Sequence, residues 1–162
     1  MDDRTFADWV APIAEALGRD RTTVIAFAAS VPDREWARPS GAEGWTCKDI
    51  LAHLAGGNDQ LVQILLRAVT SRQAPERSAL DPDTDAENAR GVERRRDWPV
   101  DRLIADLQSE NDEIQELLSQ LTDADEEARV PGFSMTLGDF LRLVQHERHD
   151  AEHLVQMQTA VG

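Results

Sequence analysis

Between Asp2 and Ser30, the positions Phe6, Trp9, Val10, Ile13, Ala16, Leu17, Val24, Phe27 and Ala28 recur at steps of three and four, the period of an amphipathic helix. A first helix is predicted there, with Gly18 as a soft spot. Val31-Pro32-Asp33 ends it, because the residue before a proline is pushed out of the helical region. Pro39 to Trp45 carries turn chemistry, and Thr46 then stands three residues ahead of Asp49, a capping arrangement that opens a second helix. Its stripe is Ile50, Leu51, Leu54, Leu61, Ile64, Leu65 and Val69, with Gly56-Gly57 as the one weak turn, and it fades near Ser71. Pro99 suits a first helical turn, and Leu103, Leu107, Ile114, Leu117, Leu118 and Leu121 extend a third helix from it. After a loop from Thr122 to Phe133, Thr136 and Leu137 open a fourth helix that carries Phe140, Leu141, Val144, Leu154 and Met157.

The stretch from Ser71 to Asp97 is polar and contains proline, and it is too long for a turn between antiparallel neighbours. It reads as a crossover. Asp83 to Arg96 within it has helical composition, so a short extra helix is expected, with Arg94-Arg95-Arg96 as a solvated face where positive charge suits the helix dipole. No segment alternates as a strand does, and no internal repeat is evident. The expected fold is all-α: one domain over residues 1–162, a four-helix bundle with helices one and two, and three and four, antiparallel, and two and three parallel. That is an up-down-down-up order with a long crossover between helices two and three.

Composition narrows the function classes. The chain has 162 residues, enough to bury about 70% of its unfolded surface without staples. Its single cysteine, Cys47, excludes an internal disulfide framework and a cysteine-rich zinc site, and fits a reducing compartment. With 31 acidic and 17 basic residues, the net charge is -14, so nucleic acid and anionic membranes are not expected partners. The opening MDDRTFADWV carries acid where a signal peptide needs basic and then apolar residues, and no run of about 18 apolar residues occurs anywhere. A soluble, cytoplasmic protein is expected.

The four histidines fall on two predicted helices: His53 on the second, and His146, His149 and His153 on the last. At 100° per residue, His149 and His153 lie about 40° and about 6 Å apart, so two imidazoles can converge on one metal ion; His146 with His149 can do so as well. His146 and His153 are about 10 Å apart along the axis, too far for both to hold one ion. The stripe of helix four favours His149 and His153, and His53 sits on the inward stripe of helix two beside Ile50 and Leu54. H-x-x-x-H alone is common in helices. A further histidine on an otherwise apolar stripe strengthens the metal reading, since a buried imidazole without a partner costs free energy. Three neutral imidazoles suit zinc, nickel, iron or copper and leave positions open, as in a catalytic site.

Residues Gly44 to Leu61 (GWTCKDILAHLAGGNDQL), together with His149 to Gln158 (HDAEHLVQMQ), resemble the DinB-like superfamily of bacterial four-helix bundles. The matching positions are Trp45, Asp49, His53, His149, His153 and Gln156. Asp83 to Leu107 further resembles the crossover and third helix of the mycothiol-dependent maleylpyruvate isomerase branch. The resemblance implies a divalent metal, zinc or nickel foremost, held by His53, His149 and His153, with His146 as a neighbour. It also implies transfer or isomerisation reactions with a low-molecular-weight thiol such as mycothiol or bacillithiol, a small-molecule substrate, and a homodimer. It identifies no catalytic residue.

Under this reading the metal would bind the thiol sulfur and present it as a thiolate. Cys47 lies six residues before His53, faces another direction, and reads as a small helix-start residue. The segment His149-x-x-Glu152-His153 also matches the H-x-x-E-H pattern of inverted zinc peptidases, but the further carboxylate such enzymes need downstream is not expected before Gly162. Glu147 or Glu152 could serve as a supporting or general-base carboxylate. A metal-dependent hydrolase and a non-catalytic ligand-binding bundle are the alternatives. In the latter, Trp9, Trp36, Trp45 and Trp98 are core or cleft-wall residues.

Overall fold

A computed structural model of the chain describes residues 4–42, 44–57, 59–70, 84–130 and 132–162. These residues form seven α-helices: α1 (Ala11–Ser30), α2 (Cys47–Leu54), α3 (Asp59–Thr70), α4 (Thr84–Arg95), α5 (Val100–Ser119), α6 (Leu137–Glu147) and α7 (His149–Val161). No strand occurs among the described residues, only two isolated bridges, and none of the helices is long and apolar enough to cross a membrane.

Helix one starts later than its periodicity suggests. Pro12 sits in its first turn, where a missing N–H costs nothing, so Phe6 and Trp9 precede the helix and pack on its core from a turn. The expected cap of helix two is present: Thr46 Oγ1 accepts the Asp49 backbone N–H at 3.2 Å while Asp49 Oδ2 accepts the Thr46 N–H at 2.9 Å. Thr136 caps α6 in the same way through the Asp139 N–H at 3.2 Å. Two expected helices are each broken in two. The second divides into α2 and α3 around Gly56-Gly57, and the fourth divides at Arg148, which takes a left-handed conformation (φ 48°, ψ 43°) between α6 and α7. The extra helix expected between Asp83 and Arg96 is α4, while residues 71–83 of the crossover lie outside the described residues.

A structural repeat emerges that the sequence does not display. The loops leading into α2 and α6 each contain a 3-10 turn, Asp33–Glu35 and Asp123–Asp125, and a bridge to the capping threonine, Pro39 with Thr46 and Arg129 with Thr136. Their backbone hydrogen bonds match as well. Cys47 N–H donates to Arg38 O and Lys48 N–H to Trp36 O, just as Leu137 N–H donates to Ala128 O and Gly138 N–H to Glu126 O. Turn chemistry sets this pattern through backbone groups, so side-chain identity carries little trace of it.

The apolar side chains form two clusters rather than one. The first joins Ile13 and Ala14 of α1 with Leu61 and Leu65 of α3, Ile114 and Leu118 of α5, and Phe140 and Leu141 of α6. The second joins Val24 and Ala28 of α1 with Ile50, Leu51 and Leu54 of α2, Leu103 and Leu107 of α5, and Leu154 and Met157 of α7. Along α1, α2–α3, α5 and α6–α7 the change from one cluster to the other is marked by polar or glycine positions: Arg21 in α1, Gly56-Gly57 after α2, Glu110 and Asn111 in α5, and Arg148-His149-Asp150 at the start of α7. Both helix breaks therefore lie at the level of this polar layer.

Candidate metal centre

The polar layer assembles the histidines. His53 lies in the last turn of α2, with its ring buried against Trp45 at a centroid distance of 5.2 Å. His149 is the first residue of α7, and His153 follows one turn later. One nitrogen from each of the three rings lies within 4.8 Å of the others, and His53 Nε2 stands 3.0 Å from His149 Nε2. The ring centroids are 4.6 to 5.0 Å apart, each pair edge-to-face. Two imidazole nitrogens bound at about 2.1 Å with a tetrahedral angle between them would be about 3.4 Å apart, so the spacing fits a shared ion with only small movement.

The outer nitrogens are also placed. His153 Nδ1–H donates to Gln156 Oε1 at 2.8 Å, which leaves Nε2 of that ring with its lone pair free. His149 Nδ1 faces Asp150 Oδ1 at 3.7 Å. Asp150 is itself held by Arg21, whose Nε and Nη2 donate to its two oxygens at 2.6 and 3.3 Å while Nη1 donates to Glu110 at 2.9 Å. Burial drives the His53 pKa down to about 3, helped by the neighbouring His149 and His153 rings, and burial also lowers that of His153. Burial opposes the charged form of Asp150, but the contacts with His149 and Arg21 outweigh it and hold the carboxyl below its ordinary value. His53 and His153 are thereby held as uncharged imidazoles beside an ionised carboxylate, the protonation state in which imidazole binds metal.

Both glycines of the α2–α3 break lie under close neighbours, backbone at Gly57 and the mobile end of a side chain at Gly56. A Cβ on Gly57 would stand 3.0 Å from the His53 carbonyl oxygen and 3.3 Å from His149 Cε1; one on Gly56 would fall 2.3 Å from the Arg95 guanidinium. That second contact corrects the reading of Arg94-Arg95-Arg96 as a solvated face. Arg95 is largely buried, packed across Gly56, 3.6 Å from Asp106 and 5.3 Å from the centre of the Trp98 ring. Arg94 and Arg96 are the exposed members, and Arg96 is ion-paired with Glu93 at 2.7 Å.

His146, on the last turn of α6, is exposed and outside the cluster. The axial spacing expected between His146 and His153 holds only for one continuous helix, which the break at Arg148 interrupts. Glu147 and Glu152 are both exposed, and the carboxylate against the histidines is Asp150 instead. Cys47 is fully buried in the first turn of α2, and burial pushes its thiol pKa up, which makes it an inert core residue. Reading the sequence by type missed Arg21 and Asp150. The available signal was Arg21 itself, a charge on the stripe that otherwise runs through Leu17, Val24 and Ala28.

A small cleft of about 40 Å³, open to solvent, reaches His149 and Asp150 beside α1 and α5 and is walled by Leu17, Leu61, Ile114 and Val144. His149 keeps 40% of its side-chain surface accessible, so the cluster is open on one side.

Neither the curated proteins nor the solved structures contain a match to the chain. The model of one family, described as mycothiol maleylpyruvate isomerase N-terminal domain, matches residues 17–149. The match runs from within α1 to the first residue of α7 and takes in Arg21, the buried His53 and, as its last position, His149, while Asp150, His153 and Gln156 follow it. The chain belongs to the mycothiol maleylpyruvate isomerase N-terminal domain family, a DinB-like family.

Proposed function

We propose that this protein is a divalent-metal-dependent enzyme that uses a low-molecular-weight thiol of the mycothiol or bacillithiol type, as an S-transferase or isomerase. The observation that carries the reading is the convergence of three imidazole nitrogens within 4.8 Å, with the outer nitrogen of His153 tied back by Gln156. Membership of the family supports the thiol. His53, His149 and His153 would hold the metal, zinc or nickel by donor type, and no carboxylate or thiol among the described residues joins them. When bound, such a metal lowers the pKa of a coordinated thiol and presents it as a thiolate.

The chain's own residues supply the rest. Trp45 shields His53 from water, Gln156 holds the His153 ring, and the apolar walls of the adjoining cleft offer a site for the small-molecule substrate next to His149. We read the helices as a four-helix bundle of up-down-down-up order within one domain, with α2–α3 and α6–α7 each counting as one broken helix. Contacts of opposite sense between α1 and α5 support this, Ala14 with Gln115 and Arg21 with Glu110; so do contacts of like sense between α1 and α6–α7, Pro12 with Gln145 and Arg21 with Asp150.

The test is turnover. Protein loaded with zinc or nickel is incubated with mycothiol or bacillithiol and a panel of electrophiles, among them a bimane and a cis-enone acid. Metal-dependent and thiol-dependent conjugation or cis–trans isomerisation, abolished in His153→Ala, is expected. Turnover that proceeds without thiol, or none above background with both thiols, would overturn the reading.

A further inference from the structure

We propose that two reciprocal charge pairs from adjacent residues of α1, Arg21 with Asp150 and Asp20 with Arg148, are positioning elements that bracket His149 and aim its Nε2 at the metal position. The inference rests on the metal reading above.

Four observations carry it. Arg21 is 3% exposed in the middle of an apolar stripe, and both of its carboxylate partners, Asp150 and Glu110, are almost equally enclosed. A guanidinium is costly to bury, and a site that buries one with two carboxylates has a stronger demand than helix packing alone. Second, only one oxygen of Asp150 takes the short bond from Arg21 Nε; the other, Oδ1, is 3.3 Å from Nη2 and 3.7 Å from His149 Nδ1. At 3.7 Å this is too long for a hydrogen bond, but the negative charge favours the tautomer with its proton on Nδ1, which leaves the Nε2 lone pair toward His53 and His153. Third, Arg148 is a non-glycine residue in the left-handed region, and its Nε and Nη2 donate to the two oxygens of Asp20 at 3.2 and 3.0 Å. That bidentate pair holds the break after which His149 begins α7. Fourth, the signs alternate: acid then base on α1 meets base then acid on either side of His149, so a slip of one residue would set like charges together.

Geometry thus places His149 between two clamps, while Gly57 lies against the edge of its ring. Without the clamps, a ligand at the first position of a helix, with 40% of its side chain accessible, keeps only the ring contacts with His53, His153 and Gly57. Helix α1 therefore governs metal binding without contributing a ligand.

Cobalt(II) is the probe, titrated into metal-free full-length protein and followed by calorimetry and by visible absorption, with melting of the metal-free protein recorded in parallel. Asp150→Asn is expected to weaken cobalt binding about 10- to 100-fold and to shift the visible band. Arg21→Lys, which keeps the charge but loses the fork, and Asp20→Asn should each weaken it by less. The swap Asp20→Arg with Arg148→Asp should recover what Asp20→Arg alone loses, since aspartate tolerates the left-handed region. Ile13→Val trims the first core cluster and should lower the melting point while leaving cobalt affinity and band unchanged. The inference is overturned if the wild type binds cobalt and the charge variants bind it as tightly with the same band, or if Ile13→Val weakens binding as much. A wild type that takes up no cobalt at all would overturn the metal reading itself, and this inference with it.

Discussion

His53 is the residue on which the site is most dependent, because it is a base buried among bases. Its neutral form is favoured in the fold, with a pKa near 3 against about 6.5 in an unfolded chain. Between those values the unfolded chain binds the extra proton, so stability of the metal-free protein falls as pH drops from about 6.5 toward 3, by up to about 1.4 kcal/mol per pH unit for this group. Urea unfolding between pH 7.5 and 4.5 should show that loss, and His53→Leu should flatten it, leaving the smaller share owed to His153. An unchanged slope would contradict the assignment. At this scale much was legible in the sequence. His149 and His153 are one helical turn apart, a spacing that survives because both lie on α7, and His53 stands on an apolar stripe. Arg21 and Asp150 were harder to read, since their roles rest on partners 129 residues apart in the chain.

At the scale of elements, caps were predictable and breaks were not. Thr46 and Thr136 announce α2 and α6 through local backbone bonds that the sequence carries within four residues. Thr46→Ala should cost about 1 kcal/mol in denaturant unfolding, through loss of one capping bond. The break at Arg148 has no local mark: no glycine or proline falls between Gly138 and Gly162, and the residues there suit a continuous helix. A distant partner, Asp20, overrides that preference. The Gly56-Gly57 break was visible as a weak turn, but its cause is spatial, since the ring of His149 and the guanidinium of Arg95 occupy the places of the missing side chains. Gly57→Ala presses on the backbone oxygen of His53, which cannot swing away, and should destabilise the protein by about 1–3 kcal/mol. Chemical denaturation measures this directly, and a neutral result would show that the α2–α3 junction yields.

At the scale of the molecule, the all-helical content followed from periodicity and the extra helix α4 from composition, whereas the division of the interior into two apolar clusters did not. Periodicity reports which face is buried. It does not say that each stripe is interrupted at the same height, where four helices contribute polar groups to one layer. The net charge of -14 acts on the whole chain and opposes compactness. Raising sodium chloride from about 0.02 to about 0.5 M shortens the reach of that repulsion to a few ångströms and should raise the melting temperature by about 3 °C, equivalent to about 1 kcal/mol. A fall would mean that attraction within exposed ion pairs such as Arg4–Glu116 outweighs the repulsion. The central claim is that the polar layer is a three-histidine metal centre, and elemental analysis of protein purified without chelator or histidine tag tests it most directly. Close to one zinc or nickel per chain, lost in His53→Ala, His149→Ala and His153→Ala but kept in His146→Ala, is the predicted result. No metal after incubation with zinc, nickel or manganese, or an equal loss in all four variants, would contradict it.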